Sequence, residues 1–345
     1  MEITHNNHFV SQSYLRRWSE DNHHILCYQL LVSSEKVPTW QKKSIKNVAS
    51  LQNLYTQIKD GDKADNFEKW LDKNFESPAH DVIDRAINGD ILSISDWQTL
   101  IRFLASQDVR TPLNYVESLQ RWKKEIPETL QKILDELLLE MEQRKNIGNE
   151  PRLLPSPDDI FAESLNFEVI HNYDPEKNLG AIKVEALLGR QLWLNSLRFL
   201  LENTAKILLK HKWCIVEAAD NSFWITSDHP VVRLNYYKDD SYDLKGGWGV
   251  KNGDIFMPLS PRYMLYTEIG KNLPNRLKFT EDRTNQFNKF IAEKAYRSIF
   301  ASEINHQIEK IRPRRINKKQ YREEQRLWRE WDKEQSIAEE HFQSK

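Results

Sequence analysis

The stretch Trp213-Cys214-Ile215-Val216-Glu217-Ala218-Ala219-Asp220-Asn221-Ser222-Phe223-Trp224-Ile225-Thr226 is where the chain changes character. Strand-forming residues stand on both sides of the cluster Ala219–Ser222, which is the pattern of a β-hairpin. Upstream of it, apolar residues recur at helical spacing instead. Phe67, Leu71, Phe75, Ala79, Val82, Ile83 and Ala86 make one stripe, ended by Asn88-Gly89-Asp90. Ser95 is placed to cap a second helix carrying Trp97, Leu100, Ile101, Leu104 and Ala105. Pro112 kinks or ends that helix, because proline lacks the amide donor and clashes with the preceding turn. Further helices are predicted from about Pro127 to Arg144, over Phe161–Ile170, and from about Leu179 or Val184 to His211, with a linker-like break at Gly148–Pro157.

Outward from the hairpin, short strands are expected at Val231–Leu234, Ile255–Met257 and Tyr263–Thr267, and a helix from about Asp282 to Phe300. Near the N-terminus, Phe9, Tyr14, Leu15 and Trp18 anchor a short helix or turn, followed by a strand over Ile25–Val32. The expected class is α+β: mainly helical, with a small antiparallel sheet packed against the helices. One domain is drawn over residues 1–303, with a helical part at about 60–211, a sheet part at about 212–270 and a closing helix at about 282–303. Residues 304–345 form a charged helical tail without an apolar stripe of its own, although Leu327, Trp328 and Trp331 could dock.

Composition narrows the function classes. With 50 Lys+Arg against 51 Asp+Glu the net charge is −1, which excludes a globally basic nucleic-acid coat but leaves room for a local patch. The one basic cluster, Arg312 to Arg322, runs straight into Glu323, Glu324, Glu330 and Asp332, the pattern of a solvated helix with internal ion pairs. Cys27 and Cys214 sit in separate apolar runs and read as buried free thiols, so a reducing cytoplasm is the expected setting. The opening residues do not resemble a signal peptide, and no apolar run approaches the ~20 residues of a membrane span. A Walker A loop, a G-x-G-x-x-G turn, a G-x-S-x-G elbow and an H-E-x-x-H zinc signature are all absent from the sequence.

Polar residues on apolar faces are the remaining candidates. Leu100, Phe103, Gln107 and Arg110 share a helical face, so Gln107 and Arg110 continue an apolar stripe and need partners. They could lock the core or grip a phosphate or carboxylate. Glu68 and Glu76 lie on the preceding helix. Glu76 and His80 share a face that a metal site can use, as a solvated Glu–His pair also would, and His5 and His8 are three residues apart. Asp228, at the end of a strand in Ser227-Asp228-His229-Pro230, suits a general base, a metal ligand, a partner for Arg110, or a turn aspartate bonded to its own backbone.

These elements, in this order, resemble the DUF4238 family. His8-Phe9-Val10-Ser11-Gln12-Ser13-Tyr14-Leu15-Arg16-Arg17-Trp18 is similar to its opening H-x-V-P-x-x-Y-L element, with Ser11 in place of the proline. Asn47, Tyr55, Glu68 and Glu76 follow. Gln107–Pro112 resembles Q-x-x-R-T/S-P, Thr226–Pro230 resembles T-S-D-x-P, and Pro258–Pro261 resembles P-L-S-P. The resemblance spans roughly His8 to Phe300 and brings no activity or cofactor with it. It implies that His8, Glu76, Gln107, Arg110 and Asp228 recur together, and we expect them to converge on one pocket. Such a pocket suits acid–base hydrolysis of a phosphodiester or nucleotide, with room for a divalent metal. Glu76 and Asp228 would hold the metal or act as base, His8 would be acid or ligand, Arg110 would stabilise phosphate charge and Gln107 would orient. Nucleic acid or nucleotide is then the expected partner, and no membrane is. The alternative is a non-enzymatic binding or regulatory protein, in which the same residues form a buried polar network.

Overall fold

The three central strands of the largest sheet alternate their side chains between two apolar cores, and this explains the near-continuous hydrophobic run Asp254–Pro258, which is buried throughout. The computed structural model describes residues 5–59, 62–145, 167–174, 179–238 and 241–343. Its six-stranded sheet has the order Ser241–Asp243, Val232–Lys238, Asp254–Pro258, Tyr263–Glu268, Cys214–Glu217, Arg276–Lys278. Ile215, Ile255, Met257 and Leu265 face a core shared with Leu104, Leu197 and Trp213. Val216, Phe256, Met264 and Tyr266 face a second core with Phe287, Phe290 and Ile291 of the helix Glu281–Lys294.

A four-stranded antiparallel sheet covers the second core from the far side. Its order is Thr226–Ser227, Ser298–Ala301, His24–Gln29, Trp40–Ser44. The pairing of His24–Gln29 with Ser298–Ala301 joins the N-terminal part of the chain to the segment that follows the helix Glu281–Lys294, placing Cys27 opposite Phe300. The expectation of one small antiparallel sheet on a helical body is therefore overturned. Among the described residues there are two principal sheets and four two-stranded ribbons, and the pairing of Cys214–Glu217 with Arg276–Lys278 is parallel.

The helical body holds the stripe read from the sequence. Asn66–Leu71 and Ser77–Asn88 are α-helical, joined by a π-helical turn at Asp72–Glu76, and Gly89 ends the run at φ 91°. The next helix, Ile94–Val109, is capped two residues before the expected Ser95: Ser93 and Asp96 form a reciprocal capping box, and Arg85 grips the Asp96 carboxylate with two hydrogen bonds. Pro112 opens a helix instead of kinking one. Pro112–Lys145 is a single helix with Pro127 inside it, so the helix expected to start at about Pro127 starts fifteen residues earlier, with Pro112 in its first turn.

Four predicted elements are corrected. The hairpin does not form, because Arg262 gathers the carbonyls of Ala218, Ala219, Asp220 and Ser222, and the returning segment Thr226–Ser227 pairs with Ser298–Ala301 in the other sheet. In place of the helix over Phe161–Ile170, Phe167–Asp174 is a strand; residues 161–166 lie outside the described residues, as does the linker at Gly148–Pro157. In place of one long helix to His211, Leu179–Ala186 is the partner strand of that ribbon, Gly189 breaks the chain, and Arg190–Glu202 and a 3₁₀ turn at Thr204–Lys210 follow. The helix expected to reach Phe300 stops at Lys294.

The tail is part of the body. Arg315–Ile316 pairs in parallel with Leu31–Val32, Arg314 bonds the Val37 carbonyl, and the helix Lys318–Gln343 docks through Trp331 and Trp328 while Leu327 stays exposed. No helix among the described residues is long and apolar enough to cross a membrane.

Candidate functional site

The opening segment His8–Trp18 and the stretch leading into Thr226–Pro230 meet directly: Tyr14 Oη lies 2.7 Å from Thr226 Oγ1, and Trp18 Nε1 donates to the Trp224 carbonyl at 2.8 Å. Around this junction, the C-terminal end of the helix Ile94–Val109 builds two polar clusters on different faces.

The first is centred on Arg110, which is 0 % exposed. Its Nη1 pairs with Glu76 Oε1 and its Nε donates to the Phe9 carbonyl at 3.1 Å. One end of the Gln107 amide lies 3.0 Å from Nη2 and 3.2 Å from Nε; with oxygen at that end it accepts both bonds. The opposite orientation gains a 3.4 Å contact from the Ser11 amide. Two shorter, charge-assisted bonds outweigh it. Tyr55 Oη donates to the Arg110 carbonyl at 2.7 Å.

The π-helical turn makes this pairing geometrically available, because an inserted residue rotates Glu76 inward relative to a regular helix. Burial pushes the Glu76 carboxyl up, but Arg110, the Ser11 hydroxyl and His8 together hold it below its ordinary value. His8 is 9 % exposed and sits beside Phe9; burial and the Arg110 charge keep its imidazole below its ordinary value, against the Ile45 and Lys46 carbonyls. Its Nδ1 lies 3.3 Å from Gln12 Nε2, and its buried Nε2 has no hydrogen-bond partner. Glu68 joins the same cluster. Burial raises its carboxyl to about 7, the Arg110 charge opposes that, and Glu76, Asp72 and Asp65 reinforce it. Its buried Oε2 also has no partner.

Asp228 is not in this cluster. Its Oδ1 accepts from the Tyr296 amide at 2.9 Å, and its Oδ2 accepts from Arg297 and Ser298 at 2.7 and 2.9 Å. Those three amides are the ones a longer Glu281–Lys294 helix would have used, so Asp228 is what turns the chain out into the strand Ser298–Ala301. Burial lifts its carboxyl to about 6, and the three amides resist that. His8, Glu76, Gln107 and Arg110 thus lie in one buried cluster with Glu68, and Asp228 lies outside it. Glu76 and His80 do not pair, since His80 faces Asp81 and Asp84, and His5 bonds Asn53. Among the described residues no group of three His, Cys, Asp or Glu is arranged to hold a metal ion.

The second cluster is where the Gln107–Pro112 and Thr226–Pro230 elements actually touch. Thr111 Oγ1 lies 2.7 Å from His229 Nδ1, and Asp108 Oδ1 lies 3.8 Å from His229 Nε2. Trp248 Nε1 donates to Asp108 Oδ2 at 2.7 Å, and Arg233 Nε is 3.4 Å from the same oxygen. Asp108 Oδ1, His229 Nε2 and Arg233 Nε are buried without a hydrogen-bond partner. Burial holds the His229 imidazole well below its ordinary value, aided by Lys294 and Arg233, so it is neutral. Trp248 arrives on a loop whose Gly246 passes so close to the neighbouring strand that a Cβ there would meet the Arg233 and Leu234 backbone at 2.9 Å. The signal for this cluster is in the sequence: Ile101, Leu104, Asp108 and Thr111 form a second stripe at spacings of three and four.

A family model described as "Protein of unknown function (DUF4238)" matches residues 6–304 of the 345. No curated protein and no solved structure matches the chain. The matched span takes in both clusters, and the chain belongs to the DUF4238 family.

Proposed function

We propose that the protein is a non-catalytic binding module and that the Arg110 cluster is a structural clamp. One observation carries this reading: Arg110 is fully buried and all three guanidinium nitrogens are already engaged, by Glu76, the Phe9 carbonyl and Gln107. Stabilising charge on a reacting phosphate needs donors aimed at the place where that charge develops. Here they are aimed at the protein's own backbone and side chains, and the result is to fasten the Asn6–Trp18 segment to the helices. Incubation with Mg²⁺ or Mn²⁺ and mixed nucleic acids is expected to give no turnover above buffer, while Glu76→Gln lowers stability. Turnover that Glu76→Gln abolishes at unchanged stability would refute the clamp.

A second reading, acid–base hydrolysis of a phosphodiester or nucleotide, draws support from Glu68 and His8. Both present a buried polar atom without a partner, and the Glu68 carboxyl titrates at about 7, where a general acid is useful. It predicts a pH–rate profile that loses its basic limb in Glu68→Gln. The same assay decides whether nucleic acid is a substrate. Two buried free thiols suit a cytoplasmic setting.

A further inference from the structure

A cleft of about 450 Å³ lies between the helix Pro112–Lys145, the strand Ser241–Asp243 and the end of the helix Glu281–Lys294. Several of the charged side chains lining it are already spoken for. Arg297 is held by Glu324 at 2.7 and 2.5 Å, Glu293 by the Tyr242 hydroxyl at 2.8 Å, and Asp243 by the Tyr237 hydroxyl at 2.6 Å. Lys294, Arg312 and Lys245 also line it, and among the described residues none of the three has an ion-pair partner. Glu117 also lacks an ion-pair partner among the described residues, and Asp243 keeps its negative charge because a hydroxyl does not neutralise it, whereas Glu293 has Lys289 at 3.8 Å. With Arg297 set against Glu324, three positive charges face two negative ones, a surplus of one.

Lys294 is the unusual member. It is 8 % exposed, and a buried ammonium without a counter-ion is costly. Burial keeps its amine below the ordinary value, with Arg233 adding to that, while Glu117 and Asp108 favour the charge without forming a pair. Asp108 is already committed to Trp248 and Arg233. The cost of this lysine is met if an anion enters the cleft.

We infer that the cleft binds a phosphate monoester, with Lys294 as the buried counter-ion, the exposed Arg312 as a fork to the phosphate oxygens and Lys245 at the rim. A phosphate monoester carries a charge of about −1.5 to −2 near neutral pH, enough to offset the surplus, and its oxygens accept the paired donors of an Arg fork. The cavity falls in the size range of small-molecule sites and keeps apolar wall from Leu113 and Leu244 for the ester's organic part. This names the ligand class for the binding reading above and rests on it.

The test is calorimetric titration of the full chain with inorganic phosphate, AMP, adenosine and succinate. Phosphate and AMP are expected to bind and to compete, adenosine to bind at least about tenfold more weakly than AMP, and Arg312→Gln to weaken AMP at least about tenfold. Lys294→Met should do the same, and Lys310→Gln, outside the cleft, should leave binding unchanged. Should Lys294→Met fail to fold, the exposed Arg312 decides alone. The inference is overturned if neither phosphate nor AMP binds at millimolar concentration, if adenosine or succinate binds as well as AMP, or if Arg312→Gln has no effect. Nucleic-acid turnover with AMP binding intact would sink the non-catalytic reading and leave the cleft standing; absent binding without turnover would sink the cleft alone.

Discussion

Asp228 illustrates how a residue can have every sequence attribute of a catalytic carboxylate and still belong to the backbone. It directly follows the strand Thr226–Ser227 and stands two residues before Pro230, yet both oxygens accept from the amides of residues 296–298. Asp228→Asn would turn an NH₂ toward amide donors and leave buried N–H groups unmet, at a cost of about 2–4 kcal/mol, to be read by urea denaturation. Asp228→Ala should cost at least as much. Glu68 makes a different prediction, in pH. Its folded value of about 7 lies above the ordinary 4.5, so between those values the folded chain holds the extra proton and stability falls as pH rises through that window. The slope amounts to at most about 3 kcal/mol, less for solvent screening, and Glu68→Gln should flatten it. His8 runs oppositely: its depressed value means that stability is lost as pH falls below 6.5. A denaturation series from pH 4.5 to 8 on wild type, Glu68→Gln and His8→Gln separates the two. At this scale the sequence was legible where helical spacing applies, as for Gln107 and Arg110. It was illegible where a partner comes from a distant loop, as with His229 and Thr111.

Between residues and the fold stand the element boundaries, and these were set by local chemistry that competes with periodicity. Ser95 looks like a cap because it precedes Trp97, but the reciprocal bonds of Ser93 and Asp96 start the helix earlier. Ser93→Ala should therefore cost about 1 kcal/mol and Ser95→Ala close to nothing, measured as a difference in denaturation midpoint at constant slope. The stripe from Phe67 to Ala86 was readable because seven apolar residues repeat along it. The π turn within it was not, because nothing in a stripe reports an inserted residue, and that turn is what delivers Glu76 to Arg110. The failed hairpin has the same origin. Propensity identifies Cys214–Glu217 as a strand but cannot reveal that Arg262, some forty positions away, will occupy the carbonyls of the turn.

At the scale of the molecule, a boundary drawn on charge at residue 304 hides an integral element. Arg190 is 0 % exposed, and every anion that neutralises it comes from the helix Lys318–Gln343. Glu339 takes Nε and Nη2 at 3.1 and 2.7 Å, Asp332 takes Nη1 at 2.7 Å, and the Trp331 ring lies under the guanidinium at 5.6 Å. Of the acidic residues that made the tail look solvated, Asp332 is thus a counter-ion of a buried cation in the body, joined there by Glu339. Breaking one arm strands a charge in the interior, whereas removing the whole group does not. Glu339→Ala is accordingly expected to cost about 3–5 kcal/mol. Arg190→Met combined with Glu339→Leu, which replaces the buried pair by apolar groups of similar size, should recover most of that loss. Equilibrium denaturation of the single and double variants checks it. If Glu339→Ala were within about 0.5 kcal/mol of wild type, the tail helix would be an ornament on the matched domain. A loss of the expected size, recovered in the double variant, would make the residues beyond 304 part of the structural unit that the family match only partly covers.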